Sequence, residues 1–212
     1  MTFLKKSKNI YVLCPAYVKT GGPELLHQLV FTLNKLHKKA YITYFDINDS
    51  TDNSLTNPDF KKYVTTYKAL RDIEDDSENI VIIPESMPAI NYTKKIKKAK
   101  KVVWWLSVDN YTKYHGIIKP IKNFGLKSFL KLLAKRYIFF SYKNIKLADY
   151  HLCQSYYAID FLLRTGINRN KIDFLSDYIG DNFLKIKEIF GRKGPASYNS
   201  NGRCGNCSRY RR

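Results

Sequence analysis

Two kinds of hydrophobic pattern alternate in the first 45 residues, and this alternation limits the possible folds more than any other feature of the sequence. Residues 9–14 form a continuous apolar run that stops at Pro15, as a strand buried on both faces does. After the loop at residues 20–24, leucine and valine recur at helical spacing, and a second apolar run follows at residues 40–45. This order of strand, loop, helix and strand predicts a βαβ unit.

The same alternation continues to about residue 175. It predicts further strands at residues 79–83, 101–106, 148–153 and 171–175, a weak helix at 60–73, a basic helix or turn at 89–100, and a helix at 156–164 that ends near Gly166. Strands that alternate with helices predict an α/β fold, with a doubly wound, mostly parallel (Rossmann-like) sheet. We expect one domain over residues 1–185.

The end of the chain differs sharply in composition from this domain. From Gly191 onward there are six basic residues, no acidic residue and four of the ten glycines, with almost no aliphatic side chains. Such a segment buries too little apolar surface to fold, so we predict a linker remnant and a disordered basic tail over residues 186–212. Cys204 and Cys207 form a C-x-x-C pair there, but a zinc site needs about four ligands and no others lie nearby, so no metal site is predicted.

The net charge of +19 is unevenly distributed along the sequence. Residues 119–146 carry eight basic residues and no acidic residue, interspersed with leucine and aromatic side chains. Two interpretations remain open: an amphipathic helix lying on an anionic membrane surface, which the apolar content favours, or an ordinary surface helix. No apolar run approaches the roughly 18 residues that span a bilayer, and no signal peptide is evident. We therefore expect a cytoplasmic protein, and the first of the two interpretations would place it peripherally on the inner face of the plasma membrane.

The loop after the first strand is the strongest candidate for ligand binding. Gly21 and Gly22 precede Pro23, which suits the first helical position, and Glu24 lies in the opening turn. Glycines allow close backbone approach, and free N–H groups at a helix start bind phosphate. The alternative is that the glycines only form a tight turn. The loop lacks the G-x-G-x-x-G pattern of dinucleotide-binding folds.

Polar side chains also follow the later predicted strands. They are Glu85 and Ser86 after the third strand, Asp109, Asn110 and Tyr111 after the fourth, with His115 close by, and Ser155 after the fifth. Ligands of open parallel sheets bind at the carboxyl ends of the strands, so we expect these residues to bind sugar hydroxyls, with Asp109 either accepting a proton or stabilising positive charge. Alternatively, Asp109 caps a turn, Ser155 is a helix N-cap and His115 is a surface residue. The adjacent Trp104 and Trp105 are expected to be core residues on opposite faces of a strand.

Several segments together resemble the N-terminal domain of GT-B glycosyltransferases that build bacterial capsule and O-antigen polysaccharides. The matching segments are residues 11–16, 20–29, 102–111 and 175–180, and the resemblance covers roughly residues 9–185. It implies transfer of a sugar from a nucleotide-sugar, a co-substrate rather than a cofactor, to a growing polysaccharide or lipid-linked acceptor, with no bound metal. Gly21 and Gly22 would approach the donor diphosphate. Asp109 would assist catalysis at a position where many relatives have histidine.

The resemblance also implies a truncated enzyme, because the second domain that holds most nucleotide-sugar contacts has no counterpart in this chain. We therefore expect little or no transferase activity from these 212 residues alone. Competing hypotheses are a basic nucleic-acid-binding protein, which no recognised module supports, and a stand-alone sugar- or nucleotide-binding domain. A metal-dependent glycosyltransferase of the other common fold is disfavoured because the sequence contains no D-x-D motif.

Overall fold

The computed structural model of the chain describes residues 7–45, 55–63, 66–135 and 137–176. The tail predicted to be disordered, the cysteines at its C-x-x-C motif and the predicted domain boundary at residue 185 lie outside these ranges. The described residues belong to one unit, Met1–Asp177.

Six parallel strands form a single sheet, which confirms the predicted fold class. The strands are β1 (Ile10–Pro15), β2 (Ala40–Phe45), β3 (Ile80–Pro84), β4 (Lys100–Trp105), β5 (Tyr150–Cys153) and β6 (Ile172–Phe174). Their order across the sheet is β2-β1-β3-β4-β5-β6, and every neighbouring pair is parallel. The continuous apolar runs of the sequence become strands because helices cover both faces of the sheet, so successive side chains are buried on either side.

In the part of the chain that the structure describes, five helices and four short 3₁₀ turns connect the strands. The helices are α1 (Gly21–Lys35), α2 (Met87–Tyr92), α3 (Val108–Thr112), α4 (Ile118–Ala134) and α5 (Tyr156–Arg164), and the 3₁₀ turns are Pro58–Tyr63, Leu70–Asp72, Ile145–Leu147 and Arg169–Lys171. None of the helices in the described residues is long and apolar enough to cross a membrane.

Two helical predictions are corrected by the structure. The described residues of the segment 60–73 do not form an α-helix, because residues 66–68 run alongside the edge strand β2. The N–H of Ile42 donates to the carbonyl of Thr66 and the N–H of Lys68 to the carbonyl of Ile42, at 2.8 and 3.0 Å. These bonds satisfy backbone groups of an exposed edge that would otherwise be unpaired. The amphipathic helix expected over residues 119–146 ends at Ala134, and the apolar residues that follow lie outside it.

Apolar clusters lie on both faces of the sheet. α1 packs Leu26 and Val30 against one face, which includes Val12 and Trp104. On the other face α2, α3 and α5 enclose a second cluster that includes Trp105. Full burial of one such aliphatic side chain contributes about 1.5–3 kcal/mol to the free energy of unfolding. The prediction that the two tryptophans are core residues on opposite faces is confirmed.

The strand order reverses direction at β1. The chain passes from β1 to β2 on one side and then returns to place β3 on the other side of β1. Loops leaving β1 and β3 therefore diverge and open a crevice beyond the carboxyl ends of these strands, where open α/β sheets bind their ligands.

Candidate functional site

A cleft of about 440 Å³ lies at this reversal point. Four loops contribute to it, those that follow β1, β3, β4 and β5, together with the first turns of α1. The lining residues are Pro15, Val18, Thr20, Gly21, Gly22, Pro23, Leu25, Leu26, Pro84, Glu85, Ser86, Leu106, Ser107, Asn110 and Gln154. The structure thus brings together five of the predicted site residues, namely Gly21, Gly22, Glu85, Ser86 and Asn110.

Gly21 and Gly22 form the start of α1 rather than a tight turn. Neither has a positive φ, and a Cβ atom added at Gly21 would meet no atom within 4 Å. At Gly22 a Cβ would lie 3.6 Å from Leu106 Cδ1, an ordinary van der Waals contact. Neither backbone strain nor crowding therefore requires glycine here. The N-cap residue Thr20 makes no side-chain cap hydrogen bond, so its hydroxyl does not satisfy the first N–H groups of α1.

Glu85 is the ionisable group at the base of the cleft. It directly follows β3 and is only 3% exposed. Its carboxylate accepts hydrogen bonds from the backbone N–H of Leu106 at 3.2 Å and from Asn110 Nδ2 at 3.3 Å. Burial raises the pKa of Glu85 above its ordinary value, although these donors oppose the shift. A carboxyl with a raised pKa in a cleft is a candidate for accepting and releasing a proton during a reaction.

Ser86 and Asn110 add neutral polar groups beside Glu85. The Oγ atom of Ser86 is buried and has no hydrogen-bond partner within the described ranges, and this residue leaves the N-terminus of α2 without a side-chain cap. Asn110 accepts a hydrogen bond from Lys113 Nζ at 3.1 Å while its amide donates to Glu85. Hydroxyl and amide groups of this kind suit a ligand that itself carries hydroxyls.

Asp109 and Tyr111 are not where the predicted site requires them. Asp109 is exposed in the first turn of α3 and does not line the cleft. Ser107 is the N-cap of that helix and accepts from the backbone N–H of Asn110 at 3.4 Å. Tyr111 is fully buried, donates to Asn144 Oδ1 at 2.8 Å, and its pKa is raised by burial. Consecutive residues of a helix point about 100° apart, so only Asn110 of these three reaches the cleft.

Glu24 lies on the outer side of α1. The Tyr63 hydroxyl donates to Glu24 Oε1 at 2.6 Å, and Lys62 Nζ lies 3.1 Å from the same oxygen. The hydrogen bond from Tyr63 is the main reason that the pKa of Glu24 is lowered. Glu24 therefore joins α1 to the 3₁₀ turn at Pro58–Tyr63 instead of lining the cleft.

His115 and Ser155 also lie away from the cleft lining. The His115 ring stacks on Tyr142 with ring centroids 4.4 Å apart, and burial, with a smaller contribution from Lys119, lowers its pKa. Ser155 accepts a hydrogen bond from the backbone N–H of Ala158 at 3.3 Å, so its alternative interpretation as a helix N-cap is confirmed.

Some lining residues were not among the predicted site residues. Leu106 and Gln154 directly follow β4 and β5, and Thr20 directly precedes α1. Their position immediately after a strand or before a helix is the signal that would identify them. Within the ranges that the structure describes, no group of three or more His, Cys, Asp or Glu side chains is arranged to hold a metal ion.

Comparison with known proteins does not assign a function to this cleft. No protein-family model matches the chain. No curated protein matches the sequence significantly.

Proposed function

We propose that the cleft binds the diphosphate and sugar of a nucleotide-sugar, and that the chain is the acceptor-side half of a glycosyltransferase acting on a polysaccharide or lipid-linked acceptor. The observation that carries this proposal is the placement of a buried carboxyl, Glu85, in the same cleft as the start of α1, where the first two residues are glycines. A helix start favours anions such as phosphate, and a carboxyl with a raised pKa favours exchange of a proton.

The proposed roles follow from the chemistry of each group. The N–H groups of Gly21 and Gly22 donate to phosphate oxygens, where the absence of a Cβ leaves room for close approach. Ser86 and Asn110 bind sugar hydroxyls. The acceptor oxygen bonds to the anomeric carbon while the bond to the diphosphate breaks, and the diphosphate leaves with the electron pair. Glu85, in its ionised form, takes the proton that the acceptor hydroxyl loses.

Glu85 replaces Asp109 as the proposed proton acceptor. The exposed side chain of Asp109 keeps its carboxylate in water, outside the cleft lining. The buried position of Glu85 places its carboxylate among oriented donors, from Leu106 and Asn110, and raises its pKa. A base of this kind holds the transferred proton more firmly than an exposed carboxylate does.

Amide chemical shifts of the isotopically labelled chain provide the test. Titration with uridine diphosphate glucose, as a representative nucleotide-sugar, is expected to shift the amide signals of Gly21 and Gly22 at millimolar concentrations, since only part of a binding site is involved. Uridine diphosphate should act similarly, and glucose alone more weakly. Shifts that avoid these two glycines while other signals move would refute the proposal.

A transfer assay with radiolabelled donor separates binding from turnover. We expect the 212-residue chain to bind the nucleotide-sugar without appreciable transfer, because the predicted second half of the site is not part of it. Robust turnover by this chain would contradict the proposal that it is half of an enzyme. Nucleic-acid binding with a steep dependence on salt, and no effect of nucleotide-sugar on it, would instead favour the nucleic-acid hypothesis.

A further inference from the structure

The helix α4 is attached to the rest of the protein by few side chains. Of its residues, only Pro120 and Phe129 are buried. The helix bends at Gly125, whose φ of 76° lies in the region that favours glycine, so the segment 126–134 forms a separate straight piece. A helix with so little buried surface leaves most of its side chains available for contact with something else.

The exposed side of this segment is apolar. Leu126, Leu130 and Leu133 recur at spacings of four and three residues, which places them on one side of the helix. They are 61%, 55% and 39% exposed. Ile117 and Ile118 at the start of α4, and Phe140 beyond its end, are also more than half exposed. Isolated exposed leucines are ordinary in proteins, but a row of three on a single helix is typical of an interaction surface.

The same part of the chain is strongly basic. Residues 110–148 contain nine lysine and arginine residues and no acidic residue. Lys127 and Lys131 lie on α4 between the leucines in sequence, and both are exposed. Beside the helix, an apolar recess is lined by Tyr114, Phe124 and Leu132, with Lys131 and Lys135 also contributing to it. Apolar and cationic groups therefore occur side by side along the whole segment.

We propose that residues 126–134 of α4 form a docking surface for an anionic lipid bilayer, with the three leucines inserted at the boundary between headgroups and acyl chains and the lysines on the phosphates. This combination of leucine and lysine matches that boundary, which offers apolar contact and negative charge at one depth. The proposal stands on α4 alone and does not depend on the ligand of the cleft.

Two other occupants fit the surface less well. A second copy of the chain in a symmetric dimer would place this patch against itself, and the patch has no acidic residue to pair with the facing lysines. Nucleic acid would use the lysines, but single strands stack their bases on aromatic side chains, whereas the exposed row here is leucine.

Vesicle flotation with the full 212-residue chain tests the proposal. The chain should float with vesicles made of equal parts phosphatidylglycerol and phosphatidylcholine and remain unbound with phosphatidylcholine alone. The double variant Leu126→Ser/Leu130→Ser should partition roughly tenfold more weakly, because less apolar surface enters the boundary. The double variant Lys127→Gln/Lys131→Gln should partition about 25-fold more weakly, since each lysine near an anionic surface contributes about a factor of five.

Matched variants elsewhere on the surface serve as controls. Leu36→Ser/Leu163→Ser removes two exposed leucines from other helices or their ends, and Lys61→Gln/Lys94→Gln removes two exposed lysines. Both controls should float like the wild type, and circular dichroism should show that all variants fold. Unchanged flotation of the leucine variant would overturn the proposal. The proposal would also be overturned if light scattering without lipid shows a wild-type dimer that the leucine variant does not form. It would be overturned as well if both control variants lose flotation to the same extent as the α4 variants.

Discussion

The substitution Gly21→Ala separates a role in ligand binding from a role in folding. A Cβ at this position meets no atom within 4 Å, and the residue lies in the first turn of α1 without a positive φ. Alanine has the higher helix propensity, by up to about 1 kcal/mol in a helix interior and by less at a helix start. The free energy of unfolding should therefore stay the same or rise by less than about 1 kcal/mol.

The effect of the same methyl group on the ligand should be opposite. In the proposed complex, phosphate oxygens approach the N–H groups of Gly21 and Gly22, and the added Cβ occupies part of that space. A hydrogen bond to a charged group contributes about 1.5–3 kcal/mol, so the loss of one such bond corresponds to roughly a 10- to 150-fold weaker affinity for uridine diphosphate glucose. Calorimetric titration, or the concentration dependence of the amide shifts, measures this change.

Gly166→Ala provides the matched control. Gly166 has a φ of 83° just after α5, a conformation that costs a residue with a Cβ about 1–2 kcal/mol. Urea unfolding should show Gly166→Ala to be destabilised by about that amount, while its affinity for the nucleotide-sugar stays that of the wild type. The reasoning would be refuted by a Gly21→Ala variant that binds normally, or that unfolds as readily as Gly166→Ala.

Three further predictions concern protonation and helix capping. Because burial raises the pKa of Glu85, the folded state binds this proton more tightly than the unfolded state, and the free energy of unfolding should fall as pH rises through the raised pKa. Glu85→Gln should remove this pH-dependent component, measured by urea unfolding at several pH values. An unchanged pH dependence in this variant would contradict the assignment. Burial lowers the pKa of His151 to about 4, so the free energy of unfolding should fall by up to about 3 kcal/mol as pH drops from the ordinary histidine pKa towards 4. His151→Gln should reduce this dependence of stability on pH, and an unchanged dependence would contradict the prediction. Ser155→Ala should lower the free energy of unfolding by about 1 kcal/mol through loss of the cap on α5, whereas the exposed Ser128→Ala should not lower it; equal effects would exclude capping as the cause.

The pattern of strands was predictable because it is encoded locally. Strands β1 and β3 are continuous apolar runs that end at proline, and β2 begins and ends at the residues the sequence indicates, Ala40 and Phe45. The helix at residues 156–164 was equally clear, since its N-cap, its amphipathic spacing and the glycine after it all agree. The weak helical pattern at residues 60–73 led to a wrong prediction, because residues 66–68 hydrogen-bond to the backbone of the distant Ile42.

The membership of the cleft was only partly predictable. The sequence places polar residues at the carboxyl ends of strands, and five of the predicted site residues line the cleft. It does not state the direction of each side chain within a short helix. Asp109, Asn110 and Tyr111 are consecutive, yet the first is exposed, the second bonds to Glu85 and the third is in the core.

The sequence by itself determined the parallel α/β sheet, the two glycines at the start of α1 and the basic, leucine-containing segment of α4. Only the tertiary structure decided that β3 lies beside β1, which brings Glu85 into the same cleft as Gly21, and that the carboxylate of Glu24 bonds to Tyr63 instead. The physical reason is that strand and helix formation depend on neighbouring residues, whereas strand order, burial of a carboxyl and the shift of its pKa depend on residues distant in sequence that meet only in the folded protein.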